Sequence, residues 1–392
     1  MRIGVIGNTK PANGGTHYYV LSALDALRDY GVTHKYVLFY EDDSFPAVQY
    51  ELPNWEICRI SNSGERLDNK IAKALAIAGI TGPSRLASGR YKALLDYSLD
   101  LVFCPSTNLY AWYCDIPFVI TIHDVYHRQE YKLPGRTFFN SFLRDIIWRK
   151  VAHSARVVFV DSELGKKDVI SAYQISDKKI HILPNGPADF IWQYDKDRWK
   201  EVRAQYNLPE CYVFCPGIAA VAKNQKRVIE AIALLQRQNH LDIHAVFAGP
   251  FGDYGKVLIN LSRKEGIQHL IHFLGQVPDE NMALLYKGAL CLTMASYIGP
   301  TNMPVWEAFA IGCAVVSSNI GAMPDQVGDA GLLFDPDNAQ QLAESILRIY
   351  KDGNLRSIIV QRGMQRVQAV RPENRAKVLL QGLEKAMEKV RK

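Results

Sequence analysis

The sequence predicts an α/β chain of two domains of similar size, each built on a parallel β-sheet with helices on both faces. Three observations carry this expectation. Short apolar, β-branched runs alternate with helical stretches along the whole chain, the pattern of strands buried on both faces. The succession starts again after Pro184-Asn185-Gly186-Pro187, which divides it into residues 1–186 and 187–372. A chain of 392 residues, 48% of them hydrophobic, also exceeds what a single core comfortably holds.

In the first half, Arg2-Ile3-Gly4-Val5-Ile6-Gly7 enters a strand at once, so no signal peptide is expected. A loop with Lys10, Pro11, Asn13, Gly14 and Gly15 follows. Thr16 is then expected to cap a helix with Val20, Leu24 and Leu27 at apolar positions. Further strands are expected at Val37-Leu38-Phe39, 56–60, Leu101-Val102-Phe103, 118–122, 156–160 and 179–183. In the second half, Tyr212-Val213-Phe214-Cys215 reads as a strand ending at Pro216-Gly217, and a helix over 224–238 carries Val228, Ile232 and Leu235. Strands at 244–247, 271–274, 290–293, Val315-Val316 and Leu332-Leu333-Phe334 continue the series, with helices over 340–350 and from Glu373. Open parallel sheets hold ligands at the carboxyl ends of their strands, so two such halves would leave a cleft between those ends.

The formal charge of +6 is spread along the chain. It suits anionic substrates or an anionic membrane surface, and no nucleic-acid partner is expected. No apolar run approaches the ~20 residues of a membrane-spanning helix. The seven Cys lack metal-like pairing; Cys58, Cys104, Cys215, Cys291 and Cys313 read as small core residues, and a reduced, cytoplasmic setting is expected. Two stretches combine basic and apolar residues. One is a helix over 136–153, with Phe138, Phe139, Phe142 and Trp148 among Arg144, Arg149 and Lys150. The other is the span 66–92, with Lys70, Lys73, Arg85, Arg90 and Lys92. Each could lie on an anionic bilayer, although core packing with a solvated basic face is the plainer reading of the first.

The most informative stretch covers 299–328. A polar, Pro-rich loop, Gly299-Pro300-Thr301-Asn302-Met303-Pro304, feeds a short helix that Gly312 ends, and Ala314-Val315-Val316 reads as a buried strand. Asn302 is expected as the N-cap, with Pro304 in the first turn. Several free backbone N–H groups and the positive end of a helix dipole suit a phosphate. Glu307 leans back toward that end, where it could accept hydrogen bonds from a ribose. Spacing alone fits an ordinary helix start with a solvated Glu equally well.

This segment resembles the donor-site signature of the retaining, family 4 (group 1) glycosyltransferases of the GT-B fold. Their form is a Glu in a loop, a Gly-rich turn, then Pro-Val-x-Glu-Ala-x-Ala-x-Gly-x-Pro-Val-Val. Here Pro304 through Val316 match, with Ala314 where Pro is usual, and the continuation from Ser318 to Pro336 matches as well. The resemblance implies two Rossmann-like domains facing across a cleft, with the acceptor domain in 1–186 and the nucleotide-sugar donor domain in 187–372. The last helix, 373–392, would pack back on the first domain.

The resemblance also distributes roles. Gly14 and Gly15 would lie near the transferred sugar and its phosphate; by themselves they could equally be a plain tight turn. His123, after the strand 118–122, would reach the sugar's hydroxyls; otherwise it is a satisfied core His. Lys223, six residues after Gly217, would grip the pyrophosphate; a lone Lys at a helix start is usually solvated. Thr301, Asn302, Met303, Pro304 and Glu307 complete the donor site, and Asp124, His127 and Arg128 are acceptor-side candidates. Two positions depart from the family pattern. Ile218 stands where an Arg is usual, unless Lys226 or Arg227 compensates. Gly299 stands where the first Glu would fall, and Thr301 and Asn302 are expected to take over hydroxyl recognition. Asp161-Ser162-Glu163 reads as a capping arrangement and Asn185-Gly186 as a hinge turn.

The implied activity is retaining transfer of a hexose from a GDP- or UDP-linked donor to a glycan or lipid-linked acceptor. His123, Lys223 and Glu307 would carry it, in the cytoplasm with a peripheral contact on the inner membrane leaflet, during assembly of a bacterial O-antigen or capsule. Front-face attack needs no protein base; the protein positions the reactants and stabilises the departing phosphate. No metal is expected, because the Asp-x-Asp of metal-dependent transferases has no persuasive counterpart, and no cofactor beyond the nucleotide sugar. The alternatives are a nucleotide-sugar epimerase or hydrolase on the same scaffold, and a non-catalytic nucleotide-sugar-binding subunit, raised by the departures at 218 and 299.

Overall fold

The computed structural model describes residues 1–10, 14–60, 93–108, 110–114, 116–128 and 138–388. The basic span 66–92, Pro11 and Asn13 of the first loop, and Arg136 at the start of the aromatic helix lie outside the described residues. The chain divides into two compact units, one of Met1–Pro184 with Pro372–Lys392 and one of Asn185–Arg371.

The first unit holds strands β1 (Arg2–Ile6), β2 (Lys35–Tyr40), β3 (Trp55–Arg59), β4 (Leu101–Cys104), β5 (Phe118–Thr121), β6 (Val157–Val160) and β7 (Ile180–Ile182). They form one sheet in the order β3-β2-β1-β4-β5-β6-β7. Every pairing is parallel, with Ile3 of β1 flanked by Tyr36 and Leu101. The apolar runs at β4, β5 and β6 are buried along their whole length, as strands covered on both faces must be. The chain winds outward from β1 to β3 and then returns to β4. The crevice at the carboxyl ends of the strands is therefore expected between β1 and β4.

The helix Gly15–Tyr30 buries Tyr19, Val20, Ala23, Leu24 and Leu27, one stripe at helical spacing. Its N-cap is Gly14, at φ 55, not Thr16, and no side chain caps it. The Gly backbone reaches a left-handed conformation that costs Thr more, which moves the helix start forward. The C-terminal helix Pro372–Glu388 packs on that helix and on β6. The contact with β6 is close: a Cβ on Gly382 would fall 2.3 Å from the Phe159 ring. Buried Arg375 ties it down, donating from Nε to the Pro184 carbonyl at 2.8 Å and from Nη1 to Ser22 Oγ.

The second unit holds β8 (Tyr212–Pro216), β9 (His244–Ala248), β10 (Ile271–Phe273), β11 (Cys291–Met294), β12 (Val315–Ser318) and β13 (Leu332–Phe334). The order is β10-β9-β8-β11-β12-β13, again parallel throughout, with the reversal between β8 and β11. The two doubly wound sheets bear out the fold class expected from the sequence.

Cys104, Cys215, Cys291 and Cys313 are buried, and none of the seven Cys forms a disulfide. Cys58 is only half-buried, a correction explained by its place on β3, the edge strand. Among the described residues no helix is long and apolar enough to cross a membrane. The helix Phe138–Ser154 buries Ile147 and Val151 and leaves Phe142, Arg144 and Arg149 outside.

Candidate functional site

In the second unit the glycines at the strand ends form a staircase. Gly217, just past β8, has φ +118, and its N–H donates to the Ala248 carbonyl at 2.8 Å. Gly249, just past β9, has φ +137; a Cβ there would meet the Gly217 carbonyl oxygen at 2.5 Å. Both conformations and the close approach of two backbones require glycine. Nothing lies within 4 Å of a Cβ built on Gly217, so its face is open. Ile218 follows with 53% exposure, an apolar side chain standing free where the family Arg would be.

Lys223 ends a short 3-10 turn, Val221–Lys223, before the helix Gln225–Asn239. Buried Asn224 pins this junction, donating from Nδ2 to the carbonyls of Ala295 at 3.0 Å and Pro336 at 2.9 Å. Lys223 lines a small cavity with Pro216, Thr293 and Ser296, and its ammonium has no partner among the described residues. Burial alone pulls its pKa below the ordinary value. The Ser296 hydroxyl beside it is also buried and without a partner among the described residues. An ammonium in that state is stabilised by an anion. The expected stand-ins for the missing Arg do not serve. Arg227 is committed to the Pro336 carbonyl at 2.9 Å, Glu230 at 2.7 Å and Asp337 at 3.4 Å, and exposed Lys226 leans to Glu230 at 3.6 Å.

The loop after β11 lies beside the Lys223 turn, where the Tyr297 N–H reaches the Ala222 carbonyl at 2.9 Å. Two expectations about this loop are corrected. Asn302 occupies the N-cap position of the helix Met303–Ile311 without capping it. It is 5% exposed, with its N–H on Gln326 Oε1 at 2.9 Å, its carbonyl accepting from Gln326 Nε2 at 2.8 Å, and its Nδ2 on Met323 Sδ at 3.0 Å. Its amide therefore faces the interior and is not offered to a sugar. Thr301 Oγ1 accepts from Asn185 Nδ2 at 3.0 Å. Pro300 and Pro304 carry no N–H, while the amides of Thr301 and Met303 have no backbone partner among the described residues. Met303 itself is buried. Gly312, at φ 78, ends the helix as expected.

Glu307 is not solvated. It is 5% exposed, accepts from the Tyr286 hydroxyl at 2.5 Å, and takes a second hydrogen bond from the Ala188 backbone N–H. Burial pushes its pKa up to about 7, against the pull of those two donors and with a smaller push from Asp279. Tyr286 belongs to the helix Asp279–Gly288 and stands edge-on to Phe214 at 4.9 Å. Nothing in its sequence context marks it as the partner of Glu307.

In the first unit, Gly14 and Gly15 open the helix after β1, and no atom of the described residues lies within 4 Å of a Cβ on either. Thr9, between β1 and that helix, has a buried hydroxyl without a partner among the described residues. His123 follows β5. Its Nδ1 lies 3.1 Å from both carboxylate oxygens of Asp161, and Tyr19 packs edge-on against its ring at 4.6 Å. Its Nε2 is buried with no hydrogen-bond partner among the described residues; leaving a group so costs about 1–3 kcal/mol. Burial lowers the pKa of His123, but the charge and hydrogen bond of Asp161 and the charge of Asp124 outweigh it, and the net shift is upward.

Asp161 corrects the capping expectation. Ser162 is the N-cap of the helix Glu163–Tyr173, accepting from the Gly165 N–H at 3.1 Å, while Asp161 turns inward to His123. Asp124 accepts the Tyr126 N–H at 3.0 Å in a local turn. Arg128 pairs with Asp145 at 2.9 Å, so its guanidinium is already engaged. The side chain of His127 lies outside the described residues. Thus the structure joins His123 to the Gly15–Tyr30 helix through Tyr19, and the Lys223 turn to the 297–303 loop. Among the described residues no group of three acidic, His or Cys side chains could hold a metal.

Residues 13–187 match the family described as Glycosyltransferase Family 4, and residues 195–366 match Glycosyl transferases group 1. The O-antigen chain mannosyltransferase B of Escherichia coli is 26% identical over 231 residues, 56% of this chain and 58% of that protein. A D-inositol 3-phosphate glycosyltransferase of Corynebacterium aurimucosum is 26% identical over 61% of this chain and 59% of its own length. The chain thus spans about three fifths of these curated relatives. The crystal structure of Anabaena Alr3699/HepE in complex with UDP and glucose superposes with a TM-score of 0.75 at 18% identity, covering 98% of both chains. That likeness speaks for the GT-B fold. With both halves of the chain matched, it belongs to the group 1, family 4 glycosyltransferases.

Proposed function

We propose that this chain is a retaining hexosyltransferase that takes a GDP- or UDP-linked sugar to a glycan or lipid-linked acceptor without an obligatory metal. The observation that carries the reading is Lys223, half-buried beside Ser296, six residues after the open backbone of Gly217, its ammonium without a partner among the described residues. A diphosphate supplies the missing counter-charge. The amides of Thr301 and Met303 and the positive end of the helix Met303–Ile311 add to it. As the sugar leaves, negative charge grows on the diphosphate, and a donor already desolvated and fixed stabilises it without reorganising. Retention follows if the acceptor hydroxyl attacks from the leaving-group side and a phosphate oxygen takes its proton. His123 orients sugar hydroxyls and Glu307 the ribose, with Gly14 and Gly15 giving room near the transferred sugar and its phosphate.

The Escherichia coli mannosyltransferase relative supports a role in O-antigen or capsule assembly, and the UDP and glucose in the Anabaena structure support a nucleotide-sugar ligand. The same reading has the enzyme work in the cytoplasm, against the inner leaflet of the membrane. The exposed Phe142 with Arg144 and Arg149 suits a peripheral contact there.

A thermal-shift panel of UDP, GDP, dTDP and ADP tests the reading, because a ligand bound only by the native state raises its stability. One diphosphate should stabilise the wild type and leave Lys223→Ala unmoved. Sugar transfer from the matching donor should then depend on Lys223 and Glu307. Free sugar or an epimer without acceptor would instead indicate a hydrolase or epimerase, and binding without turnover a non-catalytic subunit.

A further inference from the structure

The structure assigns Asp161 as the positioning residue of the transfer site: its carboxylate holds His123 Nδ1–H and leaves the Nε2 lone pair facing a hydroxyl of the bound sugar or acceptor. The inference rests on the transferase reading for the identity of that hydroxyl, and on geometry for the rest. Both oxygens of Asp161 lie 3.1 Å from His123 Nδ1. The Asp161 side chain keeps 1% of its exposure and that of His123 16%, so the carboxylate is the inner partner. An ionised carboxylate only accepts, so Nδ1 must carry the hydrogen. A neutral imidazole then has its lone pair on Nε2. Nε2 is a buried polar atom with no partner among the described residues, and a ligand hydroxyl is the group that completes it.

The two residues follow β5 and β6, which are neighbours in the sheet, so rigid elements deliver both. Tyr19 closes the other side. Its ring stands at 88° to the imidazole, and its hydroxyl lies 3.5 Å from Thr121 Oγ1. Among the described residues the charged groups around the imidazole are Asp161 after β6, Asp124 on its own loop, and, beyond Tyr19, Arg375 of the C-terminal helix at 5.7 Å from the Tyr19 ring. The two carboxylates favour imidazolium, so protonation at Nε2, which removes the lone pair, should define an acid limb of activity that Asp161 holds at higher pH.

The experiment uses the full chain labelled with 15N-histidine, with His123→Gln to assign the resonance, and the variants Asp161→Asn and Asp161→Leu. In the wild type without ligand, His123 should show the Nδ1–H tautomer, and in Asp161→Leu that preference should disappear. Both variants should lose kcat/KM by about 10- to 100-fold, the scale of losing an orienting partner, and their acid limb should move to lower pH. Asp161→Glu should recover part of the loss. A wild-type Nε2–H tautomer, or variants that keep both the tautomer and the pH profile, would overturn the assignment. If Asp161→Leu does not fold, the wild-type spectrum and Asp161→Asn still decide. If the wild type transfers no sugar, the transferase reading fails while the tautomer continues to test the pair.

Discussion

Asn302 Nδ2 lies 2.8 Å from the point where a Cβ on Gly299 would sit. The departure from the family pattern at position 299 is thus matched inside the same loop. The Asn302 amide, held against Met323 Sδ, fills the space from which an acidic side chain at 299 would have to start.

Restoring that Glu should therefore damage the fold. Gly299→Glu is expected to destabilise the chain by about 1–3 kcal/mol through overpacking. Adding Asn302→Ala should recover a large part of this, because residues in contact couple. Denaturant unfolding of the two single variants and the double variant measures the coupling. Strict additivity would show that the two positions are independent.

Glu307 makes stability depend on pH. Its carboxyl is raised from 4.5 to about 7, so the folded state favours the protonated form. This contribution is whole below pH 4.5 and is lost as pH rises through about 7. The span corresponds to about 3 kcal/mol. Glu307→Gln, neutral at every pH and still able to accept from Tyr286, should flatten the loss between pH 4.5 and 7. An unchanged slope in unfolding experiments would remove Glu307 as its source.

Lys223 should trade stability against binding. Replacing a half-buried ammonium that has no partner among the described residues by Lys223→Met is expected to stabilise the unliganded chain by about 1 kcal/mol. The same change should cost the diphosphate about 2 kcal/mol of binding free energy. Calorimetric titration with thermal unfolding checks both signs together. A variant that is less stable but binds normally would make Lys223 a structural residue.

Ile218 is open to change because it stands exposed next to the unhindered face of Gly217. Ile218→Arg should tighten diphosphate binding by about tenfold, one charge-assisted hydrogen bond, with little effect on stability. No gain would mean that position 218 does not face the phosphates.

The strands were legible from the sequence because their signal is local. A run such as Val157-Val158-Phe159-Val160 is apolar on both faces wherever the chain places it, and β6 spans those residues. Helix starts were less legible. Thr16 looked like a cap, but Gly14 takes a left-handed φ and begins the helix earlier. The site residues were readable only as types at motif spacings. Their partners were not, since each comes from a distant part of the chain: Tyr286 for Glu307 at a separation of 21, Asp161 for His123 at 38, and Asn185 for Thr301 at 116.

By itself, then, the sequence determined the two parallel sheets, the glycines at their strand ends and the family motif, all properties of short contiguous stretches. Only the tertiary structure decided which polar groups are spent. Asn302, Arg227 and Arg128 turned out to be engaged, while Lys223 and His123 Nε2 were left wanting a partner. The reason is physical: hydrogen bonding and desolvation depend on what lies within about 3 Å in space, and folding brings those neighbours together without regard to their order in the chain.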